Sequence, residues 1–114
     1  MSIVVVIEQI SVAELHERIL AARSSEDAHG LTLIDVREDV ELAGGRIEGA
    51  KHVPLGTVPD RLDEFDGSPT YVICRAGGRS MRACEFAAAH GHRVVNVAGG
   101  MLAWGDAGFE ITHG

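Results

Sequence analysis

The chain has 114 residues, a formal net charge of -7 and an ordinary mixture of apolar and charged residues with many glycines. That length supports one hydrophobic core, so residues 1–114 read as a single domain, and the composition excludes a disordered chain. The acidic balance disfavours nucleic acid and anionic membrane surfaces as partners.

The opening "MSIVVVIEQI" is apolar but short and lacks a basic start, so it predicts a strand rather than a signal peptide or membrane span, and a cytoplasmic location. Ser11 and Glu14 form a capping-box signature ahead of Leu15, Ile19 and Leu20, predicting a first helix that the loop "RSSEDAHG" ends. "LTLIDVR" has the length and β-branched content of a buried strand, and "EDVELAGG" predicts a short acidic helix closed by glycines. "AKHVPL" follows as an extended piece, and Thr57, Pro59 and Asp60 mark a helix start in "TVPDRLDEF". "TYVIC" predicts a buried strand, "SMRACEFAAAHG" a helix, "RVVNV" another strong strand, and "AGGMLAWGDAG" a glycine turn with one or two helical turns. His90 and His92 sit where that helix runs into the strand and read as exposed capping residues rather than metal ligands. Cys74 and Cys84 lack zinc-site spacing and read as free thiols.

Strands alternating with helices predict an α/β fold with a central, mostly parallel sheet and helices on both faces. Ligands gather outside the carboxyl ends of such strands. Three strand ends then share one edge: Asp35 to Arg37, Cys74 to Arg79, and Ala98 to Gly100.

The segment "CRAGGRS", Cys74 to Ser80, carries the chemistry. A turn of Cys74, Arg75, Ala76, Gly77, Gly78 and Arg79 between a strand end and a helix start can aim successive N–H groups at one spot, with the helix dipole behind them. The two glycines permit the tight curl. Cys74 at such a nest, beside Arg75 and Arg79, is favoured as thiolate, whereas a merely structural cysteine explains neither the glycines nor the arginines. Arg75, Arg79 and Arg82 form the local basic cluster, a site for a small anion. Cys84 falls on a helical stripe with alanines and reads as packing, with a resolving thiol as the alternative. A thiolate cradled by amides serves either phosphate-ester hydrolysis or sulfur transfer. Cysteine phosphatases place arginine six positions after cysteine; here that position is Ser80, and the narrower loop suits one sulfur atom better than a phosphate.

At these residues the sequence resembles the rhodanese family of sulfurtransferases in its single-domain form. "LIDVRE", "GRIEGAKHVP", "YVICRAGGRS" and "VAGGMLAW" occur in the family's order and approximate spacing, from Leu33 to Trp104. The resemblance implies a rhodanese-like fold, Cys74 as the persulfide-bearing nucleophile, and Arg75 to Ser80 as its loop. It implies that Asp35 and Arg37 brace the site edge, and that Trp104 is a core aromatic near the pocket. Arg46 and Glu48 stand where the family usually has histidine and proline, so the resemblance leaves the loop chemistry intact but carries no substrate contact over to that segment. The expected activity moves sulfane sulfur from thiosulfate or a similar small anionic donor to cyanide in vitro and to a thiol or protein acceptor otherwise. The alternatives are a sulfur carrier serving a partner protein and, disfavoured by the short loop, an arsenate reductase or phosphatase. No metal or organic cofactor is implied, and the oligomeric state is left open.

Overall fold

The computed structural model describes residues 6–24 and 30–113. Five strands, β1 (Glu8–Ile10), β2 (Thr32–Asp35), β3 (Lys51–His52), β4 (Thr70–Ile73) and β5 (Val94–Val97), form one sheet in the order β1-β5-β4-β2-β3, and every pairing is parallel. The helices are α1 (Val12–Ser24), α2 (Asp39–Leu42), α3 (Gly78–Ala89) and α4 (Gly100–Asp106). The chain steps from β1 to β2 in one direction across the sheet and from β4 to β5 in the other. Right-handed crossovers therefore put α1 on one face and α3 on the opposite face.

Alternation along the strands divides the core accordingly. Leu33, Tyr71, Ile73, Val95 and Val97 meet Leu15 and Ile19 of α1 and Trp104 of α4 on one face. Ile34, Val72 and Val94 meet Ala83, Cys84 and Ala87 of α3 on the other, where Cys74 also lies. Helix α1 starts on the expected capping box: Glu14 N donates to Ser11 Oγ at 3.1 Å, and Ser11 N reaches Glu14 Oε1 at 3.5 Å. Leu20, expected on its apolar face, is exposed.

Several expectations are revised. "TVPDRLDEF" does not make an α-helix; Leu55–Asp60 and Leu62–Glu64 are 3₁₀ turns, since Gly56 and Pro59 oppose a longer helical run. The opening strand is formed only at Glu8–Ile10 among the described residues, and the expected loop over 23–30 lies largely outside them.

The three strand ends do converge. Val36 N donates to Ile73 O at 3.0 Å, while Met101 N and Leu102 N, in the first turn of α4, donate to Cys74 O at 2.8 Å and Arg75 O at 3.0 Å. So close a seat requires glycine at residue 100, whose φ is +56° and whose Cβ, if present, would lie 2.4 Å from Cys74 O. Gly100→Ala is expected to cost about 1–3 kcal/mol, read from the urea midpoint. An unchanged midpoint would show that α4 need not seat on this loop.

Candidate active site

Strand β4 ends at Ile73, and the next residues form the expected turn, with Gly77 in the left-handed region (φ 108°) as the N-cap of α3. Gly77 N donates to Cys74 Sγ at 3.0 Å, and the Ser80 hydroxyl lies 3.3 Å from the same sulfur. Cys74 is 1% exposed. It forms the floor of an open recess walled by Arg75, Ala76, Gly78, Arg79 and Arg82. Burial pushes the Cys74 thiol up, but the Ser80 hydroxyl and the amides of Ser80, Gly77 and Ala76 favour the thiolate more strongly, so the pKa lies below the ordinary cysteine value.

Cys84 is the contrast. It is fully buried on the same face, and burial, followed by the charges of Glu85 and Cys74, pushes its thiol up to about 12. A thiol so held stays protonated and packs against its neighbours.

The arginines divide into two kinds. Arg79 is held in a two-pronged ion pair by Glu41 of α2, with Nη1–Oε1 at 2.5 Å and Nη2–Oε2 at 2.8 Å. That pairing draws the Glu41 carboxyl down to about 2, so the bridge is complete above the ordinary carboxylate pKa and is lost only as the pH falls through about 2. Arg75 and Arg82 have no such partner among the described residues and face the recess as free cations. Sequence reasoning missed Glu41, whose signal was a short acidic helix beginning at the same sheet edge as the basic loop. Beside the recess runs a second open groove that includes Met101, Leu102 and Ile111 and shares Arg75 as a wall.

Asp35 and Arg37 form a buried pair, 2% and 5% exposed. Arg37 Nη2 donates to Asp35 Oδ2 at 2.8 Å and Nε to Oδ1 at 3.0 Å. The remaining donors go to Gly45 O at 3.0 Å and Glu41 O at 3.3 Å, which ties α2 and the turn after it to the sheet edge. The pair therefore holds the helix that presents Glu41 to Arg79. Trp104 is a core residue as expected, but on the opposite face from Cys74, with Nε1 donating to Glu110 O at 3.0 Å and its ring against His16 and Phe109. Arg46 and Glu48 are exposed, and Glu48 borders a small recess beside Trp104 rather than the Cys74 recess. His90 Nδ1 contacts Phe86 O at 2.9 Å and His92 Nδ1 contacts Phe65 O at 3.0 Å. Among the described residues no cluster of histidine, cysteine and carboxylates could hold a metal ion.

Comparison with known proteins decides the family: the rhodanese-like domain model matches residues 12–107. The chain belongs to the rhodanese-like domain family. It is 44% identical over 99 residues to YtwF of Bacillus subtilis, named provisionally as a sulfurtransferase, covering 86% of this chain and 90% of YtwF. A protein of Allochromatium vinosum named sulfurtransferase is 36% identical over 88 residues, covering 75% and 82% of the two chains. The crystal structure of a rhodanese-like domain protein from Staphylococcus aureus superposes with a TM-score of 0.77 at 39% identity, covering 93% of this chain and 99% of that one. The all-parallel sheet and flanking helices are those of a rhodanese-like domain. No helix among the described residues is long and apolar enough to cross a membrane.

Proposed function

We propose that this rhodanese-like domain is a sulfurtransferase in which Cys74 accepts sulfane sulfur from thiosulfate or a similar small anionic donor and passes it on as a persulfide. The family match and the sulfurtransferase relatives support the activity in general. The observation that carries the finer reading is the cradle: a buried sulfur, bonded by one backbone N–H and one hydroxyl, at the floor of a recess walled by arginines. The Cys74 thiolate attacks the outer sulfur of the donor. A Cys–S bond forms, the donor S–S bond breaks, and sulfite departs with the electron pair. The new terminal sulfur carries the negative charge that the loop amides are placed to stabilise. Cyanide then attacks that sulfur, the persulfide S–S bond breaks, and thiocyanate leaves as the Cys74 thiolate is restored. A cellular thiol or protein acceptor would take the place of cyanide.

Within this reading Arg75 receives the sulfonate end, because it is free whereas Arg79 is committed to Glu41. Arg75→Gln is expected to raise the apparent KM for thiosulfate roughly fivefold with kcat little changed. Glu41→Gln, which releases the Arg79 cation, is expected to lower KM by a smaller factor. Steady-state kinetics on both variants give the answer, and an unchanged KM in Arg75→Gln removes the assignment.

The direct test is intact mass of the reduced protein after thiosulfate and again after cyanide. Gain of one sulfur atom that cyanide removes is the expected result. Gain without turnover would favour a carrier that delivers only to a docked protein. No gain with thiosulfate or with an organic persulfide would overturn the reading and send the loop to arsenate and phosphate-ester assays.

A further inference from the structure

Strand β5 places one amide among valines: Val94, Val95, Asn96, Val97. Val95 and Val97 face α1 and α4, so alternation turns Asn96, with Val94, toward α3 and the Cys74 loop. Asn96 is 1% exposed. Its Nδ2 donates to Gln9 Oε1 at 3.0 Å and to Gly77 O at 3.3 Å, while its Oδ1 accepts no hydrogen bond among the described residues. A buried amide left half satisfied is destabilising, so its presence in a run of valines needs a reason.

That reason lies at Gly77 O, where three donors converge. Met81 N lies at 3.2 Å as the first bond of α3, Asn96 Nδ2 at 3.3 Å, and Ser80 Oγ at 3.2 Å. A carbonyl oxygen offers two lone pairs, and a serine hydroxyl has one hydrogen to give. The same hydroxyl lies 3.3 Å from Cys74 Sγ. With Met81 and Asn96 occupying the carbonyl, the Ser80 hydrogen is left for the sulfur. The geometry points to Asn96 as a positioning residue that fills the Gly77 carbonyl so that Ser80 donates to the Cys74 thiolate. The charged or titratable groups around that sulfur are Arg75, Arg79 and Arg82, Glu41 from α2 through Arg79, and the protonated Cys84. Asn96 carries no charge, so replacing it alters the hydrogen bonds on the sulfur and leaves these groups in place.

This deepens the proposed function by naming what prepares its nucleophile, and it is tested without any sulfur donor. The measurement is thiolate absorbance near 240 nm against pH, corrected by the same variant carrying Cys74→Ser. Asn96→Val matches its strand neighbours and removes the unpartnered oxygen, so its urea midpoint is expected to equal or exceed the parent's. Its Cys74 titration is expected to move up by about one unit, the scale of one hydrogen bond to a charged group, as the hydroxyl turns to Gly77 O. Asn96→Ala should give the same shift if valine disturbs packing. Ser80→Ala should shift the titration comparably, and adding Asn96→Val to it should add nothing. A titration unmoved in the folded Asn96 variants, or shifts that add in the double variant, would overturn the proposal. Loss of the fold in both Asn96 variants would make the residue structural and overturn it equally. Persulfide formation failing in the parent, with the titration shift present, would count against the sulfur chemistry and leave this inference standing.

Discussion

Cys74→Ser is expected to abolish sulfur loading completely while leaving the fold intact. Serine differs from cysteine by one atom, fits the same space at the end of β4 and can still accept from Gly77 N. What it lacks is a thiol whose ionisation the loop favours and a sulfur able to form the persulfide bond. Intact mass should show no added sulfur under conditions that load the parent, with far-UV circular dichroism unchanged. Retained loading would move the chemistry to Cys84, which its burial and raised pKa argue against. The same substitution has a pH signature. The folded thiol has a pKa below its unfolded value, so ionisation stabilises the fold fully above the unfolded pKa. That contribution is lost as the pH falls through the folded one. The stability difference between parent and Cys74→Ser should therefore widen as the pH rises toward the ordinary thiol pKa and shrink on acidification. In the parent, the loading rate should fall with acidification over the lower part of that range, as the thiolate is protonated.

How far the sequence reached depends on whether the determinants are local. The Cys74 turn was legible because strand end, glycines, arginines and helix start follow one another within a few residues, and the same holds for the capping box at Ser11. The sheet was legible because β2, β4 and β5 are buried on both faces and read as continuous apolar runs. The 3₁₀ turns at 55–64 were misread because helix-start residues do not reveal whether a helix continues past Gly56 and Pro59. The missed site residues are those fixed by tertiary contact. Glu41 meets Arg79 across 38 positions and Asn96 meets Gly77 across 19, and neither spacing carries a pattern. The side taken by Trp104 was likewise set by where α4 docks. In the folded chain the lone amide in "VVNV" reaches Gly77 and the acidic turn at Glu41 faces the basic loop.

The Asp35–Arg37 pair marks where the fold and the site depend on the same atoms, and Arg37→Ala is expected to produce the largest loss of stability short of disrupting the sheet. Both side chains are almost wholly removed from water, and Arg37 satisfies Asp35 through two nitrogens while also holding Gly45 O and Glu41 O. Removing the guanidinium leaves a buried carboxylate whose remaining donor among the described residues is the Arg37 backbone N–H, at 3.0 Å, and takes the side-chain donor from Gly45 O, while Glu41 O keeps Gly44 N at 3.3 Å. Breaking a buried pair from one side costs about 3–5 kcal/mol, a large part of the 5–15 kcal/mol typical of a whole domain. Replacing both partners with neutral groups, Asp35→Asn with Arg37→Met, should recover part of that loss by removing the stranded charge. The urea midpoints of the two variants separate these cases. Equal losses would mean that the carbonyl tethers, rather than the ion pair, hold α2. In either variant the anchor of α2 is gone, so Glu41 should release Arg79, and the KM for thiosulfate in whatever fraction stays folded should move in the direction of Glu41→Gln. An unchanged KM would separate the brace from the site and leave the buried pair with a purely structural part.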